Sequence, residues 1–144
     1  MLHPLFWATV ASVLLAQIYK VVVESIGERR LKLYRLFETG GMPSSHTAAV
    51  TSLAVGAWRV EGFSSPLFAV TLVLGVYFVF EATGLRQEVG KQARILNEVL
   101  DELIDTHQLA REKLRELRGH TWAEVFWGFV LGLATTLLVL GGFA

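Results

Sequence analysis

The chain has 144 residues, 53% of them hydrophobic and 18% charged, with 13 basic residues balancing 13 acidic ones. A mean hydropathy of +0.48 excludes intrinsic disorder, and the lack of net positive charge argues against nucleic-acid binding. The absence of Cys excludes a disulfide scaffold, thiol catalysis and Cys-ligated zinc.

In chain order, Leu5 to Tyr19 carries no charge and the apolar run resumes after Lys20, with Pro4 placed where a first helical turn tolerates it. Thr47 to Trp58 is shorter and rich in Ala, Ser, Thr and Gly. Small residues favour close helix packing in membranes, so this run is expected as an inner helix screened from lipid. Gly62 to Phe80 and Val125 to Ala144 are charge-free runs of 19 and 20 residues, close to the ~20 needed to cross a bilayer. The expected fold is all-α, a polytopic membrane bundle of four helices forming one domain over residues 1–144. No basic segment precedes the first apolar run, so a signal peptide is not expected.

Positive charge assigns the orientation. Arg29, Arg30, Lys32 and Arg35 follow the first helix, and Arg86, Lys91, Arg94, Arg111, Lys113, Arg115 and Arg118 lie between the third and fourth. The second connection holds only Arg59. Eleven of the 13 basic residues thus share one side, which the positive-inside rule makes cytoplasmic, with both termini outside. This predicts a multi-pass protein of the cell membrane.

Between Arg86 and Arg118, Val89, Ala93, Leu96, Leu100, Leu103, Ala110, Leu114 and Leu117 form a heptad seam. One continuous helix there would reach roughly 50 Å. The flanking spans must re-enter the bilayer near each other, which predicts a cytoplasmic helical hairpin over 86–118 turning near Asp105 to Gln108. Packing of the seam in a homodimer is the alternative.

The polar residues at the cytoplasmic helix ends are the candidates for chemistry, because ionisable groups at membrane depth are costly. Lys20 and Glu24 close the first helix, and Gly40-Gly41-Met42-Pro43-Ser44-Ser45-His46 opens the second. A helix entry with unpaired amides is an anion site, and His46 beside it is placed to protonate a leaving oxygen. The competing reading is a plain N-cap by Ser44 or Ser45. Glu81 and Arg86 lie at the end of the third helix. At the fourth, His120 and Glu124 share a helix face, where the carboxylate fixes the tautomer of a nucleophilic imidazole. Thr121-x-x-Glu124 also reads as a capping box. Two His with a Lys and an Arg suit phosphoryl transfer through a phosphohistidine. No cluster has the spacing of a two-carboxylate metal cage, and Mg²⁺ would need Glu81 plus substrate oxygens. No cofactor is implied.

Gln17-x-x-Lys20, the Gly40–His46 run, Ala82-x-Gly84-Leu85-Arg86, Gly90-Lys91-Gln92-Ala93, Leu96-Asn97 and Gly119-His120-Thr121-x-x-Glu124-Val125 resemble a divergent branch of the type-2 phosphatidate phosphatase superfamily, related to acid phosphatases and vanadium-dependent haloperoxidases. The resemblance runs from about Ala16 to Gly132. It implies Lys20, Ser44 and the Ser45 amide as phosphate ligands, His46 as general acid and Arg86 as a bidentate phosphate clamp. His120 would be the nucleophile, oriented by Glu124 where the superfamily has Asp. The chain departs from the superfamily in three ways. No Arg-Pro follows Lys20, Gly84-Leu85 stands where Ser precedes the Arg, and 33 residues separate Arg86 from His120. The last departure requires a returning chain, failing which Arg115 or Arg118 would be the clamp. The expected function is hydrolysis of a lipid phosphomonoester, phosphatidylglycerophosphate or phosphatidate-like, at the cytoplasmic leaflet. The alternatives are a non-catalytic membrane scaffold and a vanadate-binding haloperoxidase-like relative.

Overall fold

The computed structural model describes residues 2–31, 33, 36, 41–107 and 119–141. Helix α1 (Pro4–Glu28) starts with Pro4 in its first turn and the His3 ring accepting the Leu5 amide at 3.2 Å, and stops at Arg29 in the left-handed region. Helix α2 (Ser45–Glu61) is capped by Ser44 and ended by Gly62, at φ 85°. Helix α3 (Pro66–Phe80) is capped by Ser65, then runs through a π turn (Glu81–Leu85) directly into α4 (Arg86–His107). Helix α5 (Trp122–Gly141) closes the fold, and the described residues contain no strand.

Among the described residues, three stretches are long and apolar enough to cross a membrane: Pro4–Glu28, Pro66–Asp101 and Trp122–Gly141. They correspond to the first, third and fourth expected spans, the third beginning at Pro66 rather than Gly62 because Ser65 and Pro66 start the helix. Helix α2 is not among them, being only 17 residues long and rich in hydroxyl and small residues. It packs instead against α1, α3 and α5 at the centre of the bundle.

The interior is built from small and hydroxyl side chains. Ala8, Ala16, Ala48, Ala57, Ser12, Ser52 and Thr136 are fully buried, whereas Val73, Phe80 and Leu138 are at least 66% exposed. This is the inverse of a soluble core. Large apolar groups face outward, where lipid is as apolar as they are, and association relies on close backbone approach and interhelical hydrogen bonds. Thr136 Oγ1 lies 2.7 Å from Ser52 Oγ, which in turn lies 3.4 Å from Thr9 Oγ1, linking α5, α2 and α1. Ser12 Oγ reaches the Ala48 carbonyl at 3.3 Å.

Helices α2 and α5 approach backbone to backbone. A Cβ on Gly128 would sit 2.5 Å from the Ser44 carbonyl oxygen, and one on Gly132 would sit 2.4 Å from that of Ala48. Gly128-x-x-x-Gly132 therefore lies flat on Ser44, Thr47, Ala48 and Thr51, a small-residue seam with no room for a side chain.

Over residues 86–101 of α4 the buried positions are Ala93, a member of the expected heptad seam, and the polar Asn97, while Val89 and Leu96 of that seam are exposed. The helix continues through His107, beyond Asp105 where the hairpin turn was expected to begin, and Gln108 with the expected returning arm, up to residue 118, lies outside the described residues.

Replacing Gly132 by Leu is expected to cost about 1–3 kcal/mol through overpacking of the seam, read by denaturant unfolding in detergent micelles. Gly27→Ala, where nothing lies within 4 Å, is the control and should not lower stability. Equal stability of both variants would refute the seam.

Candidate active site

The seam sets the start of α2 against the start of α5. The Ser44 amide donates to the Glu124 carbonyl at 2.9 Å, tying the two helix entries together. Ser44 is fully buried, and its Oγ accepts from the Thr47 amide at 3.2 Å and the Thr47 hydroxyl at 3.1 Å. The N-cap reading of Ser44 is therefore correct as far as it goes. The cap leaves the amides of Ser45 and His46 at the open end of α2, with no acceptor among the described residues.

His120 sits just before α5 and is 2% exposed. Its Nδ1 lies 2.9 Å from Glu124 Oε2, and the same oxygen accepts the Thr121 amide at 3.2 Å. The Glu124 amide donates to Thr121 Oγ1 at 3.3 Å, completing a capping box. The two sequence readings of Glu124 thus hold together, since one carboxylate oxygen closes the box and faces the ring. With Nδ1–H directed at a carboxylate, Nε2 carries the lone pair.

The backbone of His120 is held from both sides. Its amide donates to the Ala82 carbonyl at 2.9 Å, and the Gln87 side-chain amide donates to its carbonyl at 2.8 Å. Ala82 lies in the π turn, and π turns free backbone groups from the regular ladder. Gly119 lets this contact form, because a Cβ there would sit 2.8 Å from the Gln87 backbone nitrogen. These bonds return the chain after residue 118 to the α3–α4 junction. His120 therefore lies beside the residue next to Arg86 despite the 33 intervening positions.

His46 faces His120 with ring centroids 5.8 Å apart, and its Nδ1 is buried with no hydrogen-bond partner among the described residues. Lys20, Arg86, His120 and Glu81 all lie within electrostatic reach of its ring. Lys20 is 4% exposed, and Gly41, at φ +82°, packs over its methylenes. Arg86 Nε lies 3.5 Å from Glu81 Oε1 across the π turn. The structure thus gathers Lys20, Ser44, Ser45, His46, Arg86, His120 and Glu124 at one end of the bundle. Arg115 and Arg118, the alternative clamps, lie outside the described residues. No group of three acidic or His side chains among the described residues is placed to hold a metal ion.

Sequence reasoning missed Gln87 and the Ala82 carbonyl. Their only trace was a Gln beside Arg86 and a Gly directly before His120, and neither signals a contact across 33 residues.

The family model described as "Divergent PAP2 family" matches residues 1–135. The chain is also 38% identical, over 143 aligned residues, to the "Uncharacterized membrane protein YuiD" of Bacillus subtilis (strain 168), covering 92% of this chain and 90% of that protein. No solved structure matches the chain.

Thr121→Ala should cost about 1 kcal/mol of stability through the lost cap while leaving His120 in its Nδ1–H form by ¹⁵N NMR in micelles. Glu124→Ala should lose both the cap and the fixed tautomer. An unchanged ring-nitrogen pattern in Glu124→Ala would show that the carboxylate serves the cap alone.

Proposed function

The chain belongs to the divergent PAP2 family of membrane proteins, and on that premise we propose that it hydrolyses a lipid phosphomonoester, phosphatidylglycerophosphate or phosphatidate-like, through a phosphohistidine. The observation that carries this reading is the His120–Glu124 pair facing His46 beside the open amides of α2. In this reading Nε2 of His120 attacks phosphorus and the phosphorus–oxygen bond to the lipid breaks. Protonated His46 gives its proton to the departing alkoxide. Water then attacks the phosphohistidine, His46 takes up its proton, and inorganic phosphate leaves with Nε2 restored.

Charge on the transferring phosphoryl group is met by fixed donors. Lys20 and the Ser45 and His46 amides supply N–H groups, and Ser44 retains its own hydroxyl hydrogen after accepting both Thr47 donors. Glu81 engages Nε of Arg86 and leaves the two terminal nitrogens for bidentate contact with phosphoryl oxygens. Burial of Lys20 and His120 keeps water from screening these contacts.

We also take α2 as a fourth crossing. Its 17 residues rise about 26 Å, and its neighbours screen its polar side chains from lipid. Four crossings put the basic connections, and with them the site, on the cytoplasmic face with both termini outside. Substrate is then drawn from the cytoplasmic leaflet.

One experiment addresses both the chemistry and the side. Everted membrane vesicles given p-nitrophenyl phosphate should release phosphate, right-side-out vesicles should not, and His120→Ala should reduce release by at least about 10³-fold. Release that survives His120→Ala would sink the nucleophile assignment. Release from right-side-out vesicles alone would reverse the topology.

A further inference from the structure

Helix α5 has an apolar groove on each flank, and both grooves start at the candidate site. The first, of about 620 Å³, runs between α3 and α5 over a floor of α2. It begins at Thr47, Trp122 and Val125, next in the chain to His46 and close to His120 and Glu124. The second, of about 680 Å³, lies between α1 and α5. It begins at Tyr19, Met42 and Pro43, the neighbours of Lys20 and Ser44.

Helix α5 contributes Trp122, Val125, Phe126 and Phe129 to the first groove, and Trp127, Val130, Leu131 and Ala134 to the second. Both sets follow i, i+3, i+4, i+7, offset by five residues, so the two stripes lie about 140° apart around the helix. Along α2 the first groove extends from Thr47 to Trp58, about 16 Å of rise, against the ~15 Å of hydrocarbon in one leaflet. Each volume falls in the range of sites that enclose a ligand.

We propose that these two grooves hold the two acyl chains of a single diacyl lipid phosphomonoester, which straddles α5 with its phosphate at His120. This rests on the phosphatase reading and narrows it. A single-chain phosphate, lysophospholipid or polyprenyl, fills one groove and leaves the other to bulk lipid. The diacyl substrate is therefore both better held and better oriented.

The test compares dipalmitoyl phosphatidate, palmitoyl lysophosphatidate and p-nitrophenyl phosphate in detergent micelles. The diacyl lipid should exceed the lysolipid in kcat/KM by about tenfold or more. Val76→Trp, at a half-exposed position in the first groove, and Ala134→Trp, at an exposed one in the second, should each lower kcat/KM for the diacyl lipid about tenfold. The p-nitrophenyl phosphate rate should stay within about twofold and so reports an intact fold. Equal rates on the two lipids, or a tryptophan without effect on the diacyl lipid, would overturn the proposal while His120-dependent release from p-nitrophenyl phosphate keeps the phosphatase reading. If a tryptophan variant also loses the soluble substrate, the wild-type ratio of diacyl to lysolipid decides. No His120-dependent release from any of the three would overturn both.

Discussion

The site depends on the contact of α2 with α5 across Gly128 and Gly132. Hydrocarbon offers no hydrophobic force to bring helices together, so two backbones approach closely only where side chains are missing. Here the glycines meet Ser44, Thr47, Ala48 and Thr51. Because the seam starts at Ser44, it also brings one helix N-terminus beside the other, and the Ser44 amide bonds to the Glu124 carbonyl. A larger residue at either glycine would separate His46 from His120 without touching either ring.

The same economy recurs in the polar groups. A buried hydroxyl or carboxylate in a membrane protein needs partners, and here several serve two purposes. Glu124 caps α5 and orients His120, and Ser44 caps α2 and anchors it to α5. The π turn ends α3, presents Glu81 to Arg86 and offers the Ala82 carbonyl to His120. Structural and functional readings of these residues are therefore not rivals. A cap fixes geometry, and fixed geometry is what phosphoryl transfer requires.

Much of this was legible in the sequence because the signals are local. Apolar runs mark α1, α3 and α5, the last two about 20 residues long, Pro4 marks a helix start, and the small residues of Thr47 to Trp58 mark the inner helix. His120 and Glu124 could be paired by their spacing of four. What stayed hidden is non-local. Nothing in the spacing of Gln87 announces a bond to the carbonyl of His120. The apolar pattern picked out Ala93 but not Asn97, buried one turn on, because periodicity records apolar side chains and hydropathy counts Asn97 as exposed. The grooves beside α5 were invisible for a related reason. Their residues look like any lipid-facing surface until the helices that frame them are placed.

If the α2–α5 seam builds a phosphate-binding nucleophile site, orthovanadate reports it most directly, since it mimics the transferring phosphoryl group. A structure of the protein with vanadate should show it bonded to Nε2 of His120, with the Ser45 and His46 amides, Lys20 and Arg86 around its oxygens. Vanadate seated away from His120, or its absence from the site at saturating concentration, would rule such a site out.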